Sequence, residues 1–260
     1  VWFCWKYNFV LPINPTLLLN VLLFPLTFAV NAAYGRREHA LTYFASFKAY
    51  TLNLYLMHRC WQFEKQLPED FLECSSRGIR TAFDAVRTYL MANDEDAKLA
   101  SLQIFYDTLS ELSLINDVLR VIGLPAPLVA TACTDLRECS RAFEYLRCYS
   151  DYRTPSTIRA FVRLCMYTVP LLLAPYFGNL AAAHQQPFLA ILCGGFMAVP
   201  FLLLNNVQTS LENPFAGWNA ADPDDIRLDE PELTAYMDDK MTKGLPKSDD
   251  DDDSSGGNTS

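Results

Sequence analysis

This chain of 260 residues has three histidines, eight scattered cysteines and no useful run of alternating apolar and polar residues. Each shortage excludes something. His39, His58 and His184 lie far apart, outside any His-Glu-x-x-His or Gly-x-Ser-x-Gly context, so no catalytic constellation is signalled. The cysteines at positions 4, 60, 74, 133, 139, 148, 165 and 193 include no Cys-x-x-Cys pair, and the last two lie in apolar segments, so neither a zinc site nor a disulfide scaffold is indicated. Without strand alternation the expected fold class is all-α. No internal repeat is visible in the apolar segments, which removes the usual sign of an alternating-access carrier. A membrane-embedded hydrolase needs acids or histidines inside those segments, and they hold none. An enzyme is not expected.

Net charge is missing from most of the chain as well. The formal −9 comes entirely from residues 222–260, which hold 13 acidic and 4 basic residues; the part before them is neutral. The tail ends "KSDDDDDSSGGNTS", a like-charge run with Ser and Gly that cannot bury a core, and residues 231–260 are expected to be a disordered, solvated extension. No nucleic-acid partner is expected. The opening "VWFCWKYNF" lacks a signal-peptide pattern and reads as the end of a preceding membrane helix, with Trp2, Trp5 and Tyr7 suited to an aromatic belt at the outer surface.

What the chain does have is apolar length. At 51% apolar and 13% aromatic it can bury a large core, and its apolar residues are gathered in blocks. Residues 16–34, "TLLLNVLLFPLTFAVNAAY", carry no charge and, at ~1.5 Å per residue, nearly cross a hydrocarbon layer. Residues 160–182 and 187–206 are two further candidate spans; their Pro170, Pro175, Pro200 and Gly194-Gly195 are tolerated where neighbouring helices satisfy the freed carbonyls. Arg36, Arg37, Lys48, Arg153, Arg159 and Arg163 flank one side of these spans, whereas the loop at 178–187 has no Lys or Arg. The positive-inside tendency puts the middle block and tail in the cytoplasm or its equivalent and the loop outside.

The middle block, residues 36–158, reads as helices. Leu102, Phe105, Leu109, Leu112, Ile115 and Leu119 form one stripe that stops at Gly123-Leu-Pro, a helix-ending sequence. A second helix is expected to start at Pro68 and to bury Phe71, Ile79, Phe83, Val86 and Leu90. His58 is expected to be structural, packing with Arg59 and Trp61.

The first span is odd. At ~100° per residue, Asn20, Phe24, Thr27, Phe28 and Asn31 fall within one arc of about 100°, while Leu, Val and Ala fill the other face. A polar stripe at membrane depth must face protein or water. Two uses follow. The polar groups bond neighbouring helices, with the phenylalanines as packing. Alternatively the arc lines an aqueous path, in which phenylalanines repeated about a symmetry axis make a narrow neck that gates by dewetting. Arg36 and Arg37, just beyond it, then either favour anions or hold the helical block by salt bridges.

The boxes "NAAYGRRE" (31–38), "YLMHRCW" (55–61), "YRTPSTIRAFVRL" with "VPLLLAPYF" (152–177) and "LENPFAGWNAADPDDIRLDE" (211–230) resemble, in order, the bestrophin family of anion channels, in the branch found in bacteria, algae and other protists. The resemblance spans residues 1–230 and leaves out the acidic tail. It implies a homopentameric, all-helical chloride-type channel in a lipid bilayer, with multi-pass membrane helices continuous with a large cytosolic helical bundle. It also implies four membrane helices per subunit, of which three complete spans are expected here. The implied neck falls at Asn20, Phe24 and Phe28, with Thr27 and Asn31 lining the pore nearby; Asn20 departs from a fully apolar neck.

A second departure concerns calcium. The unbroken acidic run that follows "NPF" in animal bestrophins is diluted here, leaving Asp222, Asp224 and Asp225 as the ligands a Ca²⁺ would use. Those acids could equally cap the C-terminal segment against arginines, and no cofactor is required. The resemblance leaves chloride and bicarbonate both open, and plasma and thylakoid membranes both open. The rival reading is a non-conducting membrane scaffold that recruits partners through the helical block and tail.

Overall fold

An asparagine followed by a proline starts the longest element of the chain. Asn14 Oδ1 accepts a hydrogen bond from the Thr16 N–H at 3.0 Å, and Pro15, whose missing N–H costs nothing at a first helical position, opens helix α2, Pro15–Trp61. The computed structural model describes residues 1–7, 9, 14–152, 155–184, 187–211, 215, 226–228 and 231–243. Among these it contains α1 (Trp2–Lys6), α2, α3 (Phe71–Met91), α4 (Glu95–Val121), α5 (Ala126–Asp151), α6 (Ser156–His184), α7 (Pro187–Leu211) and α8 (Pro231–Lys243), and no strand. The first span does not stop near residue 34. The helix passes through Pro25 and continues to residue 61, and its 47 residues at ~1.5 Å each make about 70 Å.

The chain divides into two units. The first comprises Val1–Ala45 and Ala142–Ile226, and the second Ser46–Arg141 and Arg227–Ser260.

In the first unit, Leu26 and Ala29 of α2 pack with Val162, Cys165, Met166, Val169 and Leu173 of α6. α2 and α6 are long and apolar enough to cross a membrane, and the described part of α7 holds a shorter apolar stretch, Ile191–Val207. α1 lies against α6 and α7. The contact depends on a missing side chain: a Cβ at Gly178 would stand 2.8 Å from Cys4 Cβ and 3.2 Å from the Trp5 nitrogen. Gly178→Ala is therefore expected to lower stability by about 1–3 kcal/mol through overpacking, and Gly178→Leu by more. Thermal unfolding of the solubilised protein measures both; an unchanged Gly178→Leu midpoint would mean that α1 does not pack there.

In the second unit, a three-residue connection returns α4 against α3. Asp94 caps α4 by accepting from the Ala97 N–H at 3.2 Å. α4 ends at Gly123, whose φ of +86° is open to glycine. There the Gly123 N–H bonds the Arg120 carbonyl and the Leu124 N–H the Leu119 carbonyl. Phe105, Leu112 and Leu119 are buried along the expected stripe, with Leu102, Leu109 and Ile115 half-buried beside them. The core gathers Leu54 and Tyr55 of α2, Leu72 and Ile79 of α3, Leu112 of α4, Ala132 of α5 and Met237 of α8.

Two further boundaries differ from expectation. α3 begins at Phe71, and Pro68, Glu69 and Asp70 lie in the turn before it. The segment 231–243, expected to be disordered, is helix α8. The charge count hid a short apolar row, in which Leu233 packs on the core and Met237 is 1% exposed, its carbonyl accepting from the Tyr55 hydroxyl at 3.2 Å.

Candidate functional site

Residues 16–35 of α2 contain no charge, and the polar atoms they carry stand outside the core. Asn20, Thr27 and Asn31 are exposed, and their side chains form no hydrogen bond among the described residues. Phe24 and Phe28, one turn apart, are 69% and 60% exposed, against 1% for Leu26 on the opposite face. Their rings touch edge to face with centroids 4.7 Å apart, an arrangement favoured by the ring quadrupoles.

The arc is not uniform. Asn20 and Phe24 border an open depression of about 640 Å³ that also takes in Asn14 and Thr16. Thr27 and Asn31 instead line a groove of about 400 Å³ whose other wall is Leu204, Val207 and Leu211 of α7. Thr27 and Asn31 therefore stand on the shoulder of the phenylalanine face, toward α7.

Arg36 has specific partners. Its guanidinium donates to the backbone carbonyls of Tyr149 at 2.9 Å and Tyr152 at 2.7 Å, and lies over the Tyr149 ring, 5.6 Å from its centroid. These carbonyls close the C-terminal end of α5, where intrahelical donors run out and a cation is favoured. Tyr43 and Tyr145 stack alongside at 4.3 Å. Arg37 is 21% exposed and pairs with Glu38 at 3.4 Å. Arg36→Gln is expected to cost about 1.5–3 kcal/mol, the range for hydrogen bonds to a charged group. Thermal unfolding checks this, and an unchanged midpoint would return Arg36 to a purely electrostatic role.

The partners of His58 are not visible in the sequence. His58 sits between α3 and α4, with Nδ1 2.6 Å from Ser75 Oγ and Nε2 2.7 Å from Asn116 Oδ1. Since Asn116 Oδ1 only accepts, Nε2 carries the proton and Nδ1 accepts from the Ser75 hydroxyl. The order Ser–His–Asn mimics a nucleophile, its base and an orienting group. Yet the exposures are 0%, 0% and 1%, and none of the three lines a described cavity. This is a core network joining three helices. Burial pushes the His58 imidazole down to about 4, although its bond to Asn116 acts in the other direction. The expected packing of His58 with Arg59 and Trp61 is replaced by these bonds and by an edge contact with Phe71 at 5.3 Å.

Asp222, Asp224 and Asp225 lie outside the described residues. Among the described residues no group of three or more His, Cys, Asp or Glu is placed to hold a metal ion.

No protein-family model matches the sequence, and no curated protein does. Solved structures do match. A variant of a bacterial bestrophin homologue from Klebsiella pneumoniae aligns over 91% of this chain and 88% of its own, at 16% identity and a TM-score of 0.72. A second variant of that homologue aligns over 86% and 85%, at 15% identity and a TM-score of 0.68. The same homologue phased on zinc aligns over 86% and 83%, at 15% identity and a TM-score of 0.68. At these identities the likeness is one of fold: the chain has an all-helical, bestrophin-like fold.

Proposed function

We propose that a chain with this bestrophin-like fold is one subunit of an oligomeric anion channel in a membrane, in which the Asn20–Phe24–Phe28 face of α2 is repeated around a central axis as a hydrophobic neck. One observation carries the reading: two phenylalanines in edge-to-face contact and three side chains without hydrogen bonds stand exposed on a helix whose other face is packed on α6. Lipid would not satisfy the amides of Asn20 and Asn31, whereas a water-filled axis or a neighbouring copy would. A neck of phenylalanines with a polar Asn20 ring at its end passes ions that shed water readily and opposes strongly hydrated ones.

Five copies, chloride or bicarbonate as the ion, and a role for Thr27 and Asn31 beside the neck belong to this reading. So does calcium at Asp222, Asp224 and Asp225, which rests on the chemistry of hard oxygen donors in a short loop. Arg36, bonded to the end of α5, acts in it as a positioning residue that fixes the end of the pore segment. Arg36 and Arg37 are the cations of this reading that favour anions at the end of the pore segment, Arg37 beside Glu38.

The test is efflux from liposomes holding the full-length protein, with chloride and then bicarbonate inside and the oligomer counted by light scattering. Anion efflux from a homo-oligomer supports the channel. A folded oligomer that releases neither anion is the scaffold, and the proposal fails.

A further inference from the structure

The second unit carries a cleft unrelated to the α2 arc. It has a volume of about 590 Å³ and opens between α3 and α8. Arg80 of α3 spans its wall: one terminal nitrogen pairs with Asp238 of α8, and its Nε is buried without a partner. One turn further on, the carboxylate of Asp84 is exposed and has no partner among the described residues. Residues at this spacing ordinarily pair with each other. Here α8 has drawn Arg80 away, so a guanidinium whose side chain is 34% exposed and a carboxylate without a partner line the same cleft. Phe83, Leu233 and Met237 line it beside them.

We propose that this cleft binds a free α-amino acid with an apolar side chain, its carboxylate accepting from Arg80, its ammonium donating to Asp84 and its side chain lying on Phe83 and Leu233. The charge pattern selects the class. A phosphate or simple carboxylate would meet Asp84 and Asp238, and a simple amine would meet Arg80 and Arg87; a ligand with an ammonium and a carboxylate on one carbon answers both. The volume falls within the range of small-molecule sites, and a few polar groups over an apolar floor is their usual composition.

The test is isothermal titration calorimetry on the full-length solubilised protein, with leucine, methionine and phenylalanine as probes, then N-acetyl-leucine, which lacks the ammonium, and isopentylamine, which lacks the carboxylate. At least one of the amino acids is expected to give saturable heat, with each single-charge analogue about tenfold weaker. Asp84→Asn, which disturbs no contact, is expected to keep the unfolding midpoint and to abolish the preference for leucine over N-acetyl-leucine. Arg80→Gln is expected to weaken leucine binding. No saturable heat from any of the three amino acids up to about 10 mM, or a preference for leucine that survives Asp84→Asn, would overturn the proposal.

Discussion

His58→Ala is expected to lower unfolding stability by about 3–5 kcal/mol, the combined cost of a buried cavity and of leaving the Ser75 hydroxyl and Asn116 amide without their partner. The network also makes stability depend on pH. The folded imidazole titrates at about 4 and the unfolded one near 6.5. Between those values the unfolded chain binds the extra proton, so the contribution is complete above pH 6.5 and is lost as pH falls toward about 4. Its size is roughly 3 kcal/mol at ~1.4 kcal/mol per pH unit. His58→Gln, which keeps a donor and an acceptor and takes up no proton, is expected to remove this part of the slope. Unfolding midpoints of wild type and His58→Gln at neutral and acid pH measure the difference, and parallel pH dependences would rule His58 out as the source.

Phe24→Ala with Phe28→Ala is expected to raise anion flux by about tenfold, which corresponds to ~1.4 kcal/mol off the barrier at the neck. The two rings touch each other and are exposed, so replacing them empties no part of the core. Folding and assembly are expected to survive, and flux becomes the informative readout. Flux equal to wild type in a folded double variant would remove the phenylalanines from the permeation path. Leu26→Ala supplies the contrast: Leu26 is 1% exposed in the α2–α6 core, so its loss is expected to cost about 2–5 kcal/mol of stability instead.

Periodicity made much of the fold legible. The stripe of Phe105, Leu112 and Leu119 and the Gly123-Leu-Pro stop fix α4, because burial and helix termination are both written in residue type. The Asn20–Phe28 arc was visible for the same reason, since facing along a helix is arithmetic. Partners were harder to read. Arg36 finds backbone carbonyls 113 and 116 residues away, and a carbonyl has no residue signature. Ser75 and Asn116 look like ordinary polar positions until α3 and α4 bring them to His58. Average charge obscured α8, in which Leu233 and Met237 dock although acids surround them. The groove that takes Thr27 and Asn31 away from the phenylalanines exists only once α7 is in place.

The α2 face carries the central claim, and the most direct measurement is the reversal potential of the full-length protein in a planar bilayer with unequal potassium chloride on the two sides. An anion channel gives currents that reverse close to the chloride equilibrium potential, with the same reversal and larger currents in Phe24→Ala/Phe28→Ala. Reversal at the potassium potential, or silence from a folded oligomer in both forms, would contradict it.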